Sequence, residues 1–221
     1  MVRDEAKRQK KLLKKRQHDR LRKQHLAEVV PFAMLSPKQK LRLARRFPIH
    51  ECLINPSWQE QGLVTILMSR RQPDDHLAFG VFLVDIFCLG LKNTFANVDF
   101  SESRYVREVV GRVYEQQESE PCDSELAQQI IYGAIAYAKQ FGFKPNKDFR
   151  LSQHVLDTAE SIRPSDIEFG KDDKPFFVSG PDDNVQKILN QLQATAGEGQ
   201  YDYLCPVSPA DIWSTEGFTS T

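Results

Sequence analysis

The residue whose position most invites chemistry is Asp85, which interrupts the apolar run from Leu77 to Leu91. A carboxylate set among apolar neighbours needs a metal, a cation or backbone donors to offset its desolvation. Nucleases of the ribonuclease H type hold a metal-binding Asp on a central strand, and Lys92, Asp99 or Asp148 could approach Asp85 in space. Two divalent ions held by such carboxylates would clamp the attacking and leaving oxygens of a phosphodiester. The plainer alternative is a carboxylate hydrogen-bonded to a turn or paired with Lys or Arg.

Other candidates carry less. His50 and Cys52 have the spacing of two metal ligands on an extended segment, but no second pair accompanies them, and no metal is expected. Gly142-Phe-Lys-Pro-Asn-Lys-Asp148 has the residues of a helix stop and turn, while Lys144, Lys147 and Asp148 could equally line a site. Trp58, beside Gln59, Glu60 and Gln61, reads as a core anchor or the edge of a pocket. Gly180-Pro-Asp-Asp183 places acidic residues at a helix start, which favours the helix dipole and disfavours phosphate there. No GxSxG, Walker A, HExxH or GxGxxG pattern occurs, and no cofactor is expected.

The basic residues form the strongest pattern. The first 50 positions hold 16 of the 30 Lys and Arg but only 4 of the 30 Asp and Glu, so a chain of zero net charge joins a basic arm to an acidic body. Lys7, Arg8, Lys10, Lys11, Lys14, Lys15, Arg16, Arg20, Arg22 and Lys23 are followed by Lys38, Lys40, Arg42, Arg45 and Arg46. Such clusters release counterions when they neutralise phosphates, giving affinity that falls steeply with salt. Interspersed Gln and His add hydrogen-bond capacity, whereas the lack of aromatics among residues 1–30 argues against base stacking. Structured RNA suits this arm, since basic segments fold against its grooves. The alternative partner is an acidic protein. Lys7 to Arg16 would also pass as a nuclear localisation signal in a eukaryote.

The elements that would position these groups follow from pattern. Residues 1–28 lack Gly and Pro and are rich in helix formers, predicting a long basic helix without a continuous apolar face. Ser36-Pro37 opens a short helix ended by Pro48. Leu63 to Met68 and the run from Leu77 predict a β-hairpin around Pro73-Asp-Asp-His76, its second strand apolar at both parities and so covered on both faces. Ser101 starts a helix to about Gln117, and Ser124 another, with Leu126, Ile130, Ala134, Tyr137, Ala138 and Phe141 on one face. A short helix near 151–156, a second hairpin over Asp166–Gly170 and Pro175–Val178, and a helix from Pro181 complete the body.

The sum is an α+β fold with two hairpins in a mixed or antiparallel sheet packed with helices. Its expected divisions are an arm (1–47), a globular domain (48–196) and a flexible C-terminal tail (197–221). Four widely spaced Cys residues signal neither zinc knuckle nor disulfide framework, and no apolar segment is long enough to span a bilayer. A cytoplasmic location without a membrane partner is expected.

Pro48-Ile-His-Glu-Cys-Leu-Ile-Asn-Pro56 with Glu60-Gln-Gly62, then Phe79 through Asn93, and Tyr137-Ala with Gly142-Phe-Lys-Pro145 and Asp148-Phe149 resemble a family of uncharacterised bacterial proteins over about residues 48–195. That resemblance implies a bacterial cytosolic setting and no assigned activity. These observations together lead to the expectation of a non-enzymatic accessory protein that docks on RNA or a ribonucleoprotein such as the ribosome. A metal-dependent nuclease using Asp85 and a scaffold for an acidic partner are the alternatives.

Overall fold

The computed structural model describes Lys11, residues 13–16 and residues 31–205. Of the basic arm, Lys11 and residues 13–16 are helical and exposed. The long helix expected over 1–28 otherwise lies outside the described residues, so the structure gives it no support. The chain divides into two compact units between Lys40 and Leu41. Helix α1 (Pro37–Leu43) runs into a 3-10 turn at Ala44–Arg46, and Leu41 and Ala44 belong to the main core.

The second unit is built on an antiparallel meander. Strands β1 (Ile49–Ile54), β2 (Leu63–Arg71), β3 (Leu77–Asp85) and β4 (Gly90–Phe100) pair in chain order, and the two-residue β5 (Glu120–Pro121) adds to the far side of β1. Helix α2 (Trp58–Gln61) forms the β1–β2 connection, where Trp58 is buried in the core. β3 is interior and buried at both parities, as its sequence predicts. Leu77, Phe79 and Val81 enter one cluster, while Ala78, Phe82 and Val84 enter the other. The apolar run is not one strand, however: β3 stops at Asp85, and Gly90, at φ 69°, turns the chain into β4. Only a residue without Cβ adopts that conformation readily.

Each face of the sheet has its own cover. On one side lie α3 (Glu102–Tyr105), a π-helical turn (Val106–Val110) and α4 (Gly111–Val113), which bury Tyr105 and Val109. The Ser101 hydroxyl caps this segment by accepting from the Arg104 N–H at 3.4 Å. On the other side α5 (Ser124–Gln140) buries Ala127, Ile130, Ile131, Ala134 and Ala138, with the Asp123 carboxylate accepting from the Glu125 N–H at 2.7 Å. Its buried stripe is rotated from the predicted one, leaving Leu126, Tyr137 and Phe141 at the margin. Helix α6 (Phe149–Ser152) follows, and Val155 and Leu156 close this face.

The predicted second hairpin does not form. Its tip exists as a lone bridge between Lys171 and Lys174, with Asp172 and Asp173 at positive φ, but residues 166–169 make no strand. The reason is competition for donors: the Gly170 N–H goes to the Ile86 carbonyl at 2.9 Å and the Phe176 N–H to the Phe87 carbonyl at 3.1 Å. β6 (Phe176–Val178) instead pairs in parallel with β7 (Asp202–Leu204), across helix α7 (Val185–Thr195). Residues 202–204, read from sequence as part of a flexible tail, are thus a strand, and residues 206–221 lie outside the described part. Phe177, Leu192 and Cys88 make a small third cluster beneath this unit. No helix among the described residues is long and apolar enough to cross a membrane.

Candidate functional site: the Asp85 turn and its lysine cleft

Asp85 ends β3 with a side chain that folds back over the next turn. Its Oδ1 accepts from the N–H groups of Phe87 and Cys88, both at 2.9 Å, and its Oδ2 from that of Leu89 at 3.1 Å. Burial pushes this carboxyl up from the usual carboxylate range, while the three amides and the nearby Lys92 ammonium pull it down. Both oxygens are therefore occupied in holding the chain reversal between β3 and β4. Of the two readings open in the sequence, the geometry favours a carboxylate that organises a turn.

Lys92 is drawn elsewhere. Its Nζ donates to Asp183 Oδ2 at 2.6 Å, and the Gly180 N–H donates to the same oxygen at 2.8 Å. Both charged side chains are mostly withdrawn from water, so the pair is shielded from salt. Asp183, read from sequence as a helix-start residue, thus acts as the acceptor that fixes Lys92. Two clefts meet at this lysine. The larger, about 530 Å³, is lined by the apolar Leu91, Phe143 and Ile188 and by the exposed Lys144 and Lys187. The smaller, about 270 Å³, is lined by Gln61, Asp85, Phe87 and Ser179.

The remaining candidates for metal chemistry do not converge here. Asp148 is exposed, and its N–H is held by Asn146 Oδ1 at 2.9 Å. Asp99 has positive φ and donates its N–H to Gln72 Oε1 at 2.9 Å, on the part of β4 near Phe100 rather than near Gly90. A bulge between Ile49 and Glu51 separates His50 from Cys52: the imidazole lies edge-on to Tyr105, whereas Cys52 packs in the opposite cluster. Among the described residues, no three His, Cys, Asp or Glu side chains group as metal ligands.

The basic residues divide by exposure. Lys11, Lys14, Lys15, Arg16, Lys38, Arg42 and Arg46 face solvent. Lys40 is buried, with its ammonium 5.1 Å from the centre of the Phe32 ring. Arg45 is half-buried and donates to the Gln153 carbonyl at 3.0 Å. Lys7, Arg8, Lys10, Arg20, Arg22 and Lys23 lie outside the described residues.

Sequence reasoning missed Arg70, which is 4% exposed at the end of β2. Its guanidinium donates to the carbonyls of Val155 (2.5 Å), Phe47 (2.8 Å) and Arg45 (3.3 Å) and to the Asp157 carboxylate (2.7 Å). Asp157 is held in turn by Gln128, which donates to its Oδ2 at 3.2 Å and accepts from its N–H at 2.6 Å. Nothing in the local pattern around Arg70 distinguishes it from the exposed cations nearby. Compared with known proteins, the chain matches no family model, no curated protein and no solved structure.

Proposed function

We propose that this chain is a cytoplasmic, non-enzymatic accessory protein that docks on structured RNA, as on a ribosome or other ribonucleoprotein, through its basic N-terminal residues. The observation that carries this reading is the charge segregation: 16 of 30 cations and 4 of 30 acidic residues in the first 50 positions. The exposure of Lys11, Lys14, Lys15, Arg16, Lys38, Arg42 and Arg46 supports it, because a phosphate contact needs a cation free to leave water for an anion. Lys40 and Arg45 drop out of the docking set on the same criterion. The α+β body then serves as a protein-binding or regulatory module. A nuclease reading gains nothing from Asp85, whose two oxygens already accept three amide hydrogens.

The test uses the full-length chain and a variant with Lys10, Lys11, Lys14, Lys15 and Arg16 changed to Gln, titrated against a labelled structured RNA over a salt series. The wild type should bind tightly at low salt, with log affinity falling linearly with log salt, and the variant should lose both affinity and slope. Equal binding by the two chains would remove RNA docking by the arm. Failure of both to bind RNA, with capture of an acidic protein by the wild type only, would move the arm to that partner.

A further inference from the structure

Cys52 and Cys122 are 70 positions apart in sequence and opposite one another in the sheet. β1 pairs with β5 in the register Leu53 to Pro121 and Ile54 to Glu120, and the next step sets Cys52 against Cys122, whose N–H donates to the Cys52 carbonyl at 2.9 Å. Residues directly opposed in an antiparallel ladder have Cα atoms about 4.5–5.5 Å apart. That separation lies within the range of about 4.4–6.8 Å that a disulfide bridges. The two thiols are near enough to perturb one another's ionisation, and the Cys122 thiol donates to the Asp123 carbonyl at 3.2 Å. Both thiols are free.

The two sulfurs sit in different surroundings. Cys52 is 6% exposed within the main core, while Cys122 is half-exposed just before Asp123, the capping residue of the 17-residue helix α5. The neighbouring Cys52 thiol holds the Cys122 thiol below the usual thiol range, against burial and the carboxylates of Asp123 and Glu120. Cys52 is pushed up by its Cys122 neighbour, by burial, and by the charges of Asp123 and Glu51. The outer sulfur, open to solvent, is thus the one a peroxide reaches first, and the buried inner one is the resolving thiol.

We propose that Cys52 and Cys122 form a hydroperoxide-reactive dithiol that closes reversibly into a disulfide joining β1 to the start of α5. The Cys122 thiolate attacks one peroxide oxygen, forming an S–O bond as the O–O bond breaks, and the other oxygen leaves as hydroxide or alkoxide, protonated by water. The Cys122 sulfur loses two electrons and becomes a sulfenic acid. The Cys52 sulfur then attacks it, the S–S bond forms, the S–O bond breaks, and the departing hydroxide carries off the Cys52 proton as water. One hydroperoxide is consumed per disulfide, and two equivalents of an external thiol restore the reduced pair.

The experiment treats the full chain with increasing hydrogen peroxide, then alkylates remaining thiols and maps peptides by mass. The expected result is loss of two of the four alkylatable thiols, a Cys52–Cys122 linked peptide, and recovery of all four with dithiothreitol. Cys52→Ser should stop at a sulfenic acid on Cys122 that dimedone traps, and Cys122→Ser should leave Cys52 unmodified. In the untreated wild type, Cys122 should alkylate at neutral pH several-fold faster than free glutathione. Oxidation of Cys205 ahead of Cys122, or Cys122 passing to sulfinic acid with Cys52 still free, would overturn the proposal. The wild-type map decides the matter even if a serine variant folds poorly.

Discussion

Arg70 and Asp85 are buried charges at opposite ends of the β2–β3 ladder, where Arg70 pairs with Ala78 and Asp85 with Leu63, and the fold satisfies them in opposite ways. Asp85 finds its three donors within the next four residues. Arg70 finds its acceptors at residues 45, 47, 155 and 157, which arrive from both flanks of the meander. The carboxylate closes a local turn, whereas the guanidinium fastens distant segments to the sheet. A buried charge is costly in either case, but only in the second does removing it undo long-range structure.

The comparison is broken most severely at Arg70. Arg70→Met keeps the apolar stem of the side chain but removes the donor to three carbonyls and leaves the Asp157 carboxylate with Gln128 alone, and should cost about 3–5 kcal/mol. In a thermal melt that corresponds to a fall of about 10 °C. Asp85→Asn should cost less, about 1–3 kcal/mol, because its amide still accepts at one atom and sets a second donor against an N–H. Hydrogen exchange sharpens the contrast. Amides of Phe87, Cys88 and Leu89 should lose protection in Asp85→Asn while the strands keep theirs, whereas Arg70→Met should speed exchange around Phe47 and Val155 as well. Equal melting shifts for the two variants would show that the Asp85 turn is not a local device. Lys92→Met should have the smallest effect, about 1 kcal/mol, since Asp183 keeps the Gly180 N–H as a donor to the same oxygen; urea unfolding would register it.

The same contrast between local and distant partners explains what was legible in the sequence. Helix α5 was readable because its apolar residues recur along one stretch, and β3 because both its parities are apolar. β1 and β4 were harder, being strands in which polar residues such as His50, Asn93 and Asn97 break the alternation. The second hairpin was misread because the amides of Gly170 and Phe176 are claimed by Ile86 and Phe87, partners about 85 residues away in a turn whose own shape depends on Asp85. Asp85 announced itself as a charge in an apolar run, though not whether its partners were amides or ions. Arg70, Asp183 and the opposition of Cys52 to Cys122 gave no signal, because each exists only through register between remote segments.

The parallel pairing of β6 with β7 has a consequence in time. The meander from Leu63 to Phe100 is made of neighbouring strands and can zip up as soon as the chain has passed residue 100. The small parallel sheet must wait for Asp202–Leu204, because parallel strands need a crossover between them, here helix α7. Val178, Gly180, Asp183 and Ile188, which line the two clefts at Lys92, all belong to this late segment. Lys92 and Asp183 are 91 positions apart, so the ion pair and both clefts can form only once the segment from Val178 onward has been made.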